Sequence, residues 1–115
     1  MAALARLKRR AEFLRVAGNR KKWVTPGLIL QAAPGALPAA SQARIGFTAS
    51  RKVGMAVERN RARRRLKAVV AAMMPLHAAP GHDYVLVARA GTVRRPYAEL
   101  LGDLETGLKS LGLWR

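Results

Sequence analysis

The chain has 115 residues, carries 22 Lys and Arg against 6 Asp and Glu for a formal charge of +16, contains no cysteine, and is 50% apolar. That length suits one domain, over 1–115, and the apolar half can build a core that a disordered polycation lacks. With no cysteine, disulfides and thiolate metal sites are excluded and a reducing cytoplasm is the expected location, while no run approaches the eighteen or so apolar residues of a membrane span.

Residues 1–8 read as a flexible basic N-terminus. Phe13, Val16 and Ala17, spaced i, i+3, i+4, predict a short helix over 9–17 that Gly18 ends. Pro26 and Gly27 then break the chain, Leu28 to Gln31 predict a strand with a shorter one near Lys22 to Val24, and residues 33–41 (APGALPAAS) read as a loop. A strand over 43–50 alternates Ile45, Phe47 and Ala49 with Arg44, Gly46, Thr48 and Ser50, so one side is apolar and the other can meet a ligand. From about Ala56 to Met73 the pattern is helical, because Ala62, Leu66, Val69, Val70 and Met73 share one arc. Arg61, Arg63, Arg64, Arg65 and Lys67 fill the rest of its circumference. Arg59 lies over the apolar arc at the helix start, where a long side chain can reach out of the end. Met74, Pro75 and the run to Gly81 are expected to end this helix.

Tyr84 to Ala88 (YVLVA) predicts a central strand covered on both faces. Pro96 starts a last helix whose Tyr97, Leu100, Leu101, Leu104, Leu108 and Leu111 form its inner stripe, with Gly112 as the stop. The order is helix, two or three strands, basic helix, strand, helix, which is a mixed α/β or α+β domain.

The charge is uneven. Residues 1–22 hold eight bases against Glu12, and residues 51–67 hold eight against Glu58, a net +7 in each block, whereas the chain from Asp83 onward is nearly neutral. Such a sided excess predicts a polyanion-binding face, with nucleic acid as the first expectation. An Arg-rich start also fits a mitochondrial transit peptide, but those are Ser-rich and this stretch has no Ser. A protein that cut RNA by itself with two metal ions would need converging carboxylates. Here four of the six acids lie in the C-terminal third, Glu99 and Asp103 fall on the outer side of the last helix, and His77 and His82 flank the Pro80-Gly81 turn as exposed loop residues.

Function concentrates in residues 44–70, RIGFTASRKVGMAVERNRARRRLKAVV. Arg and Lys neutralise phosphates, Asn60 offers amide donors and an acceptor, and the first N–H groups of the helix point toward anions. Eight cations among seventeen residues repel one another and have few opposite partners at i, i+4, so a purely structural role explains them badly. If six to eight of them meet RNA phosphates, log affinity should fall with log salt at a slope of roughly −4 to −6.

Val53, Gly54, Ala56, Arg59, Asn60, Arg61, Arg63 and Arg64, with Ser50, Arg51 and Lys52 leading in and Leu66 and Lys67 following, resemble the signature of the bacterial ribonuclease P protein component. The resemblance extends to Leu7, Lys8, Glu12 and Phe13, to the strand from Arg44 to Ser50, and to Asp83-Tyr84 opening a strand that ends in Ala88-Arg89. Two positions depart from that pattern: Ala62 where a larger aliphatic is usual, and Ala17 where many members place a second aromatic on the first helix.

This resemblance implies an α+β domain of α-β-β-β-α-β-α order, a four-stranded mixed sheet packed with three helices, and a left-handed β-α-β crossover. It implies a subunit of a ribonucleoprotein endonuclease that removes the 5′ leader of precursor tRNA. The RNA subunit would hold the catalytic Mg2+, and the protein alone would be inactive. Its partners would be that RNA and the precursor tRNA, with no membrane and no small-molecule substrate. By the same mapping, Arg51, Lys52, Arg59, Asn60, Arg61, Arg63, Arg64 and Lys67 would bind the RNA subunit, and Phe13, Phe47 and Arg20 would line a leader cleft. On the residues alone Phe13 serves either as a stacking platform or as core, and Phe47 reads as core. A basic ribosomal or nucleoid protein without a nuclease role is the alternative that composition leaves open.

Overall fold

A computed structural model describes residues 4–35 and 42–115. Its elements in chain order are β1 (Leu4–Arg6), α1 (Arg10–Gly18), β2 (Lys21–Val24), β3 (Leu28–Pro34), β4 (Ala43–Thr48), α2 (Ala56–His77), β5 (His82–Ala88) and α3 (Tyr97–Ser110), with short 3-10 turns at Arg51–Val53 and Ala90–Val93. The strands make one mixed sheet in the order β1-β4-β5-β3-β2. β4 runs parallel to both β1 and β5, and the β2–β3 and β3–β5 pairs are antiparallel. The parallel β4–β5 pair is joined by the basic helix α2, which is the crossover the α+β reading requires.

The sheet therefore has five strands, not the four expected. The extra strand is β1, in the segment expected to be flexible: Leu4, Ala5 and Arg6 pair with Ala43, Arg44 and Ile45, and the next N–H, of Leu7, donates to the Ile45 carbonyl at 2.9 Å. Leu7 itself is buried. Three residues are too few to display a period of two, so nothing in Leu4–Arg6 announces a strand until β4 supplies the template. The loop expected from residue 33 starts later, because Ala33 and Pro34 extend β3 against Asp83 and His82; the expected loop positions 36–41 lie outside the described residues.

Alternation along the strands divides the molecule into two layers. Leu28, Leu30 and Ala32 of β3, Ala43 and Ile45 of β4, and Tyr84, Leu86 and Ala88 of β5 point to the face covered by α2 and α3. From α2 they receive Ala62, Leu66, Val69, Val70 and Met74, and from α3 Leu100, Leu104 and Leu108, all buried. Each fully buried aliphatic of this kind contributes about 2 kcal/mol of transfer free energy. The stripe runs one residue further than expected: Met74 is fully buried, Met73 only partly, and α2 continues through Pro75 to His77. A proline in the last turn forfeits one backbone bond, and the burial of Met74 outweighs that loss.

On the opposite face α1 covers only part of the sheet, through Val16 and Phe13 over Leu7, Ala33 and Val85. Polar bonds complete its attachment. Glu12 Oε1 accepts the N–H groups of Lys8 and Arg9 at 3.2 and 3.0 Å, and Oε2 accepts Arg44 Nη1. Arg44 also makes a two-bonded pair with Asp83, Nε to Oδ1 at 2.9 Å and Nη2 to Oδ2 at 2.7 Å, and Arg15 of α1 reaches the same carboxylate.

The bonds from the Arg9 and Lys8 backbone, and secondarily from Arg44, hold the Glu12 carboxyl below its ordinary 4.5. A carboxylate depressed in the folded state stabilises fully above its unfolded value, and that contribution disappears as pH falls through the folded value. The gap in melting temperature between the native chain and Glu12→Gln should therefore be constant above pH 4.5 and close as the pH is taken lower. A gap that widened in acid would contradict this sign.

Candidate nucleic-acid interface

The outer surface of α2 is what its inner stripe leaves over. With Ala62, Leu66, Val69 and Val70 turned inward, Asn60, Arg63, Arg64 and Lys67 fall along one flank and line a depression of about 450 Å3 with Val57. Arg63 Nη2 donates to Asn60 Oδ1 at 2.7 Å, which orients the amide so that its NH2 faces solvent. On the other flank Arg61 lines a second depression, about 590 Å3, together with Glu58, Arg65, Arg94, Arg95 and neighbouring residues. Arg61 and Arg64 are exposed. Among the described residues no carboxylate pairs with Arg61, Arg63, Arg64 or Lys67, because Asp83, Asp103, Glu12, Glu99 and Glu105 pair elsewhere. Unneutralised cations on a rigid helix are preorganised for phosphate.

The helix start is shaped by the turn before it. Gly54 has φ 143° and ψ −158°, a conformation that only glycine takes readily, and a Cβ there would meet Glu58 Cβ at 3.0 Å. This turn carries Arg51 and Lys52, both exposed, and Ser50 Oγ accepts the Lys52 N–H at 3.3 Å. Met55 at the N-cap makes no side-chain cap, so the first N–H groups of α2 keep their positive end toward solvent.

Two cations of this block are struts as well as charges. Arg59, expected to reach out of the helix end, folds back so that Nη1 donates to the Gly54 carbonyl at 3.0 Å, bracing the turn. Arg65 turns inward: Nη1 donates to the carbonyls of Thr92 and Val93 at 2.6 and 2.9 Å, and Nη2 to that of Arg95 at 2.5 Å. It gathers the orphan carbonyls at the end of a 3-10 turn nearly thirty residues away, which spacing on α2 could not foretell.

A second surface lies on the other side of the sheet. α1 leaves a groove of about 290 Å3 lined by Arg10, Phe13, Leu14 and Ala17 above Gln31, Thr48, Val85 and Val87. Strand pairing sets Lys22, Gln31, Val85 and Gly46 in one cross-strand row and Val24, Ile29, Val87 and Thr48 in the next. Phe13 lies directly over Gly46: a Cβ there would fall 2.5 Å from Phe13 Cε2, so the ring can settle only because β4 has glycine at this point. The half-buried ring borders an open apolar floor with Arg10 at the rim, the combination that takes unpaired bases. Thr48 falls on the side of β4 that its alternation left free to meet a ligand; Gln31 and Val87 were not anticipated, although Gln31 is the one polar side chain in the run Leu28 to Ala33 and could have been flagged on that ground.

The structure separates the other two expected cleft residues from Phe13. Phe47 follows Gly46 in β4 and so points to the opposite face, where it packs against the α2 side of the core. Arg20 stands in the tight link between α1 and β2 with φ 61°, exposed, and does not line the groove. Asp103, expected to be solvated, is buried: its carboxylate takes Arg95 Nε at 2.6 Å and the Gly27 N–H at 3.0 Å, tying the β2–β3 turn to α3. His77 stacks on Trp114 with centroids 4.1 Å apart, and His82 Nδ1 lies 3.0 Å from the Pro80 carbonyl.

The described residues offer magnesium no fitting donor set. Among the described residues no three His, Asp or Glu side chains come together, and the two most buried carboxylates, Asp83 and Asp103, are each saturated by arginine.

Comparison with known proteins agrees in sequence and in fold. The family model described as Ribonuclease P matches residues 1–112. Among curated proteins, the ribonuclease P protein component of Paramagnetospirillum magneticum is 57% identical over 113 residues, covering 96% of this chain and 85% of that one. That of Gluconacetobacter diazotrophicus is 47% identical over 108 residues, covering 94% and 91%. Among solved structures, the RNase P protein of Staphylococcus aureus superposes with a TM-score of 0.77 at 20% identity, covering 96% of this chain and 97% of that one. The Thermotoga maritima protein gives 0.73 at 20% identity, covering 88% and 92%. At that identity the structural likeness speaks for the fold.

Proposed function

The chain belongs to the ribonuclease P protein family, and from that membership we propose that it works as two RNA-binding surfaces on opposite faces of one sheet. The outer face of α2, with Arg51, Lys52, Asn60, Arg61, Arg63, Arg64 and Lys67, grips the RNA subunit; Arg59 contributes chiefly by holding the turn that aims them. The groove between α1 and the sheet takes the single-stranded 5′ leader of precursor tRNA, with Phe13 as the stacking platform and Arg10 at its rim. Magnesium and the bond-breaking step belong to the RNA subunit, and the protein without RNA does not cut. Among the described residues no helix is long and apolar enough to cross a membrane; we assign the particle to the cytoplasm.

The observation that supports this most is the placement of the groove. It lies across the sheet from the cationic helix, so a leader and a structured RNA can be held at once without competing for the same arginines. The test is reconstitution with ribonuclease P RNA in magnesium. The particle should bind leader-bearing precursor more tightly than mature tRNA, whereas nuclease-free protein alone should release no leader. No preference for the precursor would remove the leader groove, and cleavage by protein alone would overturn the division of labour.

Ala17 offers a gain-of-function check. It is exposed at the groove, at the position where the family resemblance implies an aromatic, and a phenylalanine there would add a second platform next to Phe13. Base stacking on an aromatic is worth about 1–3 kcal/mol. Ala17→Phe should therefore tighten precursor binding by roughly tenfold while leaving mature tRNA binding unchanged. Equal tightening of both substrates would mean that the new ring touches tRNA outside the leader.

A further inference from the structure

The ring that the structure moved away from the leader groove is not simply core. Phe47 borders a depression of about 180 Å3 between the β1–β4 edge and α2, lined by Leu4, Ile45, Val70 and Ala71, with Arg6 and Lys67 at its rim. Arg6 Cζ sits 5.1 Å and Lys67 Nζ 6.0 Å from the Phe47 ring centroid. Neither cation meets a carboxylate among the described residues. Lys67 also lines the depression with Asn60, Arg63 and Arg64, so the pocket is continuous with the cationic flank of α2.

We propose that this pocket seats one unpaired base of the RNA subunit against Phe47, with Arg6 and Lys67 swinging from over the ring to hold the phosphates on either side. An aromatic wall, an apolar floor and two free cations within one nucleotide's reach are the parts that single-stranded RNA recognition uses. A duplex does not fit: its bases are stacked internally and present only edges to a pocket of this size. The inference rests on the α2 face being the RNA-subunit surface, and it adds a stacking contact to what is otherwise phosphate contact. It also gives β1 a purpose, since pairing with β4 is what brings Arg6 over the ring.

The test uses the full-length chain and its RNA subunit, with affinity measured across a range of salt for Phe47→Tyr, Phe47→Leu and Lys67→Ala. Leucine fills the core side of the position, and thermal melting checks that each variant folds. Phe47→Leu should lose roughly tenfold in affinity with its salt slope unchanged, because a stacked base carries no counterions away. Phe47→Tyr should bind like the native chain. Lys67→Ala should make the slope less steep by about one. In the native particle one RNA-subunit base should be shielded from chemical probing and become reactive in Phe47→Leu. A folded Phe47→Leu variant with native affinity would overturn the proposal, as would a loss confined to precursor tRNA, which would return Phe47 to the leader. If the native chain itself failed to bind ribonuclease P RNA, the reading of the α2 face would fall, and this inference with it.

Discussion

Replacing Arg61, Arg63 and Arg64 together with alanine is expected to cost at least a hundredfold in affinity for ribonuclease P RNA while the melting temperature holds or rises. None of the three belongs to the hydrophobic core, and among the described residues the one hydrogen bond their side chains make, Arg63 to Asn60, lies on the surface. Alanine has the highest helix propensity, so α2 keeps its conformation. Removing three like charges from a chain of net +16 also relieves repulsion in the folded state. On the RNA side, three charge-assisted contacts at about 1 kcal/mol or more each amount to two or more powers of ten, and the salt slope should flatten by about two. Titrations at several salt concentrations with melting curves on the same preparations read both quantities. An unchanged slope would place the RNA interface elsewhere on the molecule.

Asp83→Ala should act in the opposite way, lowering stability first and function through it. The carboxylate is 1% exposed and accepts from Arg44 of β4 and Arg15 of α1 at once. Deleting it leaves two guanidinium groups facing each other beside the sheet. Breaking a buried pair costs about 3–5 kcal/mol, and the lower end applies here because the Arg15 side chain is 39% exposed and water can relieve it. At several degrees per kcal/mol for a domain of this size, the melting temperature should fall by roughly 15 °C. Since the Arg15 bond to Asp83 is one of the polar ties that fix α1 on the sheet, Phe13 would lose some of its fixed position over Gly46 and the preference for precursor over mature tRNA should shrink with it. Asp83→Asn, which keeps the shape and one acceptor, should lose less of both. A drop of under about 5 °C for the alanine variant would show that α1 is held without the Asp83 carboxylate, by Val16 and Phe13 and by its other bonds, from Glu12 to Arg44 and from Arg15 and Asn19 to the Pro34 and Ala32 carbonyls.

Much of this molecule could be read from its residues. The helical period of Ala62, Leu66, Val69 and Val70 settles which side of α2 is inner, because a 3.6-residue repeat leaves one buried arc whatever the rest of the fold does. The run of arginines on the remaining arc, together with the Val53 to Arg64 pattern, is enough for the family. Period two in β4 likewise separates Phe47 from Gly46 before any coordinates exist.

Tertiary structure decided the questions in which distant segments meet. Phe47 and Phe13 were grouped by family resemblance, but which face of β4 is roofed by α1 depends on Asp83, thirty-nine residues from Arg44, drawing in Arg15. β1 exists only because β4 offers it an edge. Arg59 and Arg65 look like their neighbours in sequence and differ from them because orphan carbonyls, at Gly54 and at the 3-10 turn from Ala90 to Val93, happen to come within reach. Local period and residue chemistry act through neighbours three or four positions away, so the sequence determined the helices, the charge and the family. Whether a given cation meets a carbonyl, a carboxylate or open solvent is a property of long-range packing, and only the folded chain assigns each arginine to bracing the protein or to its open cationic surface.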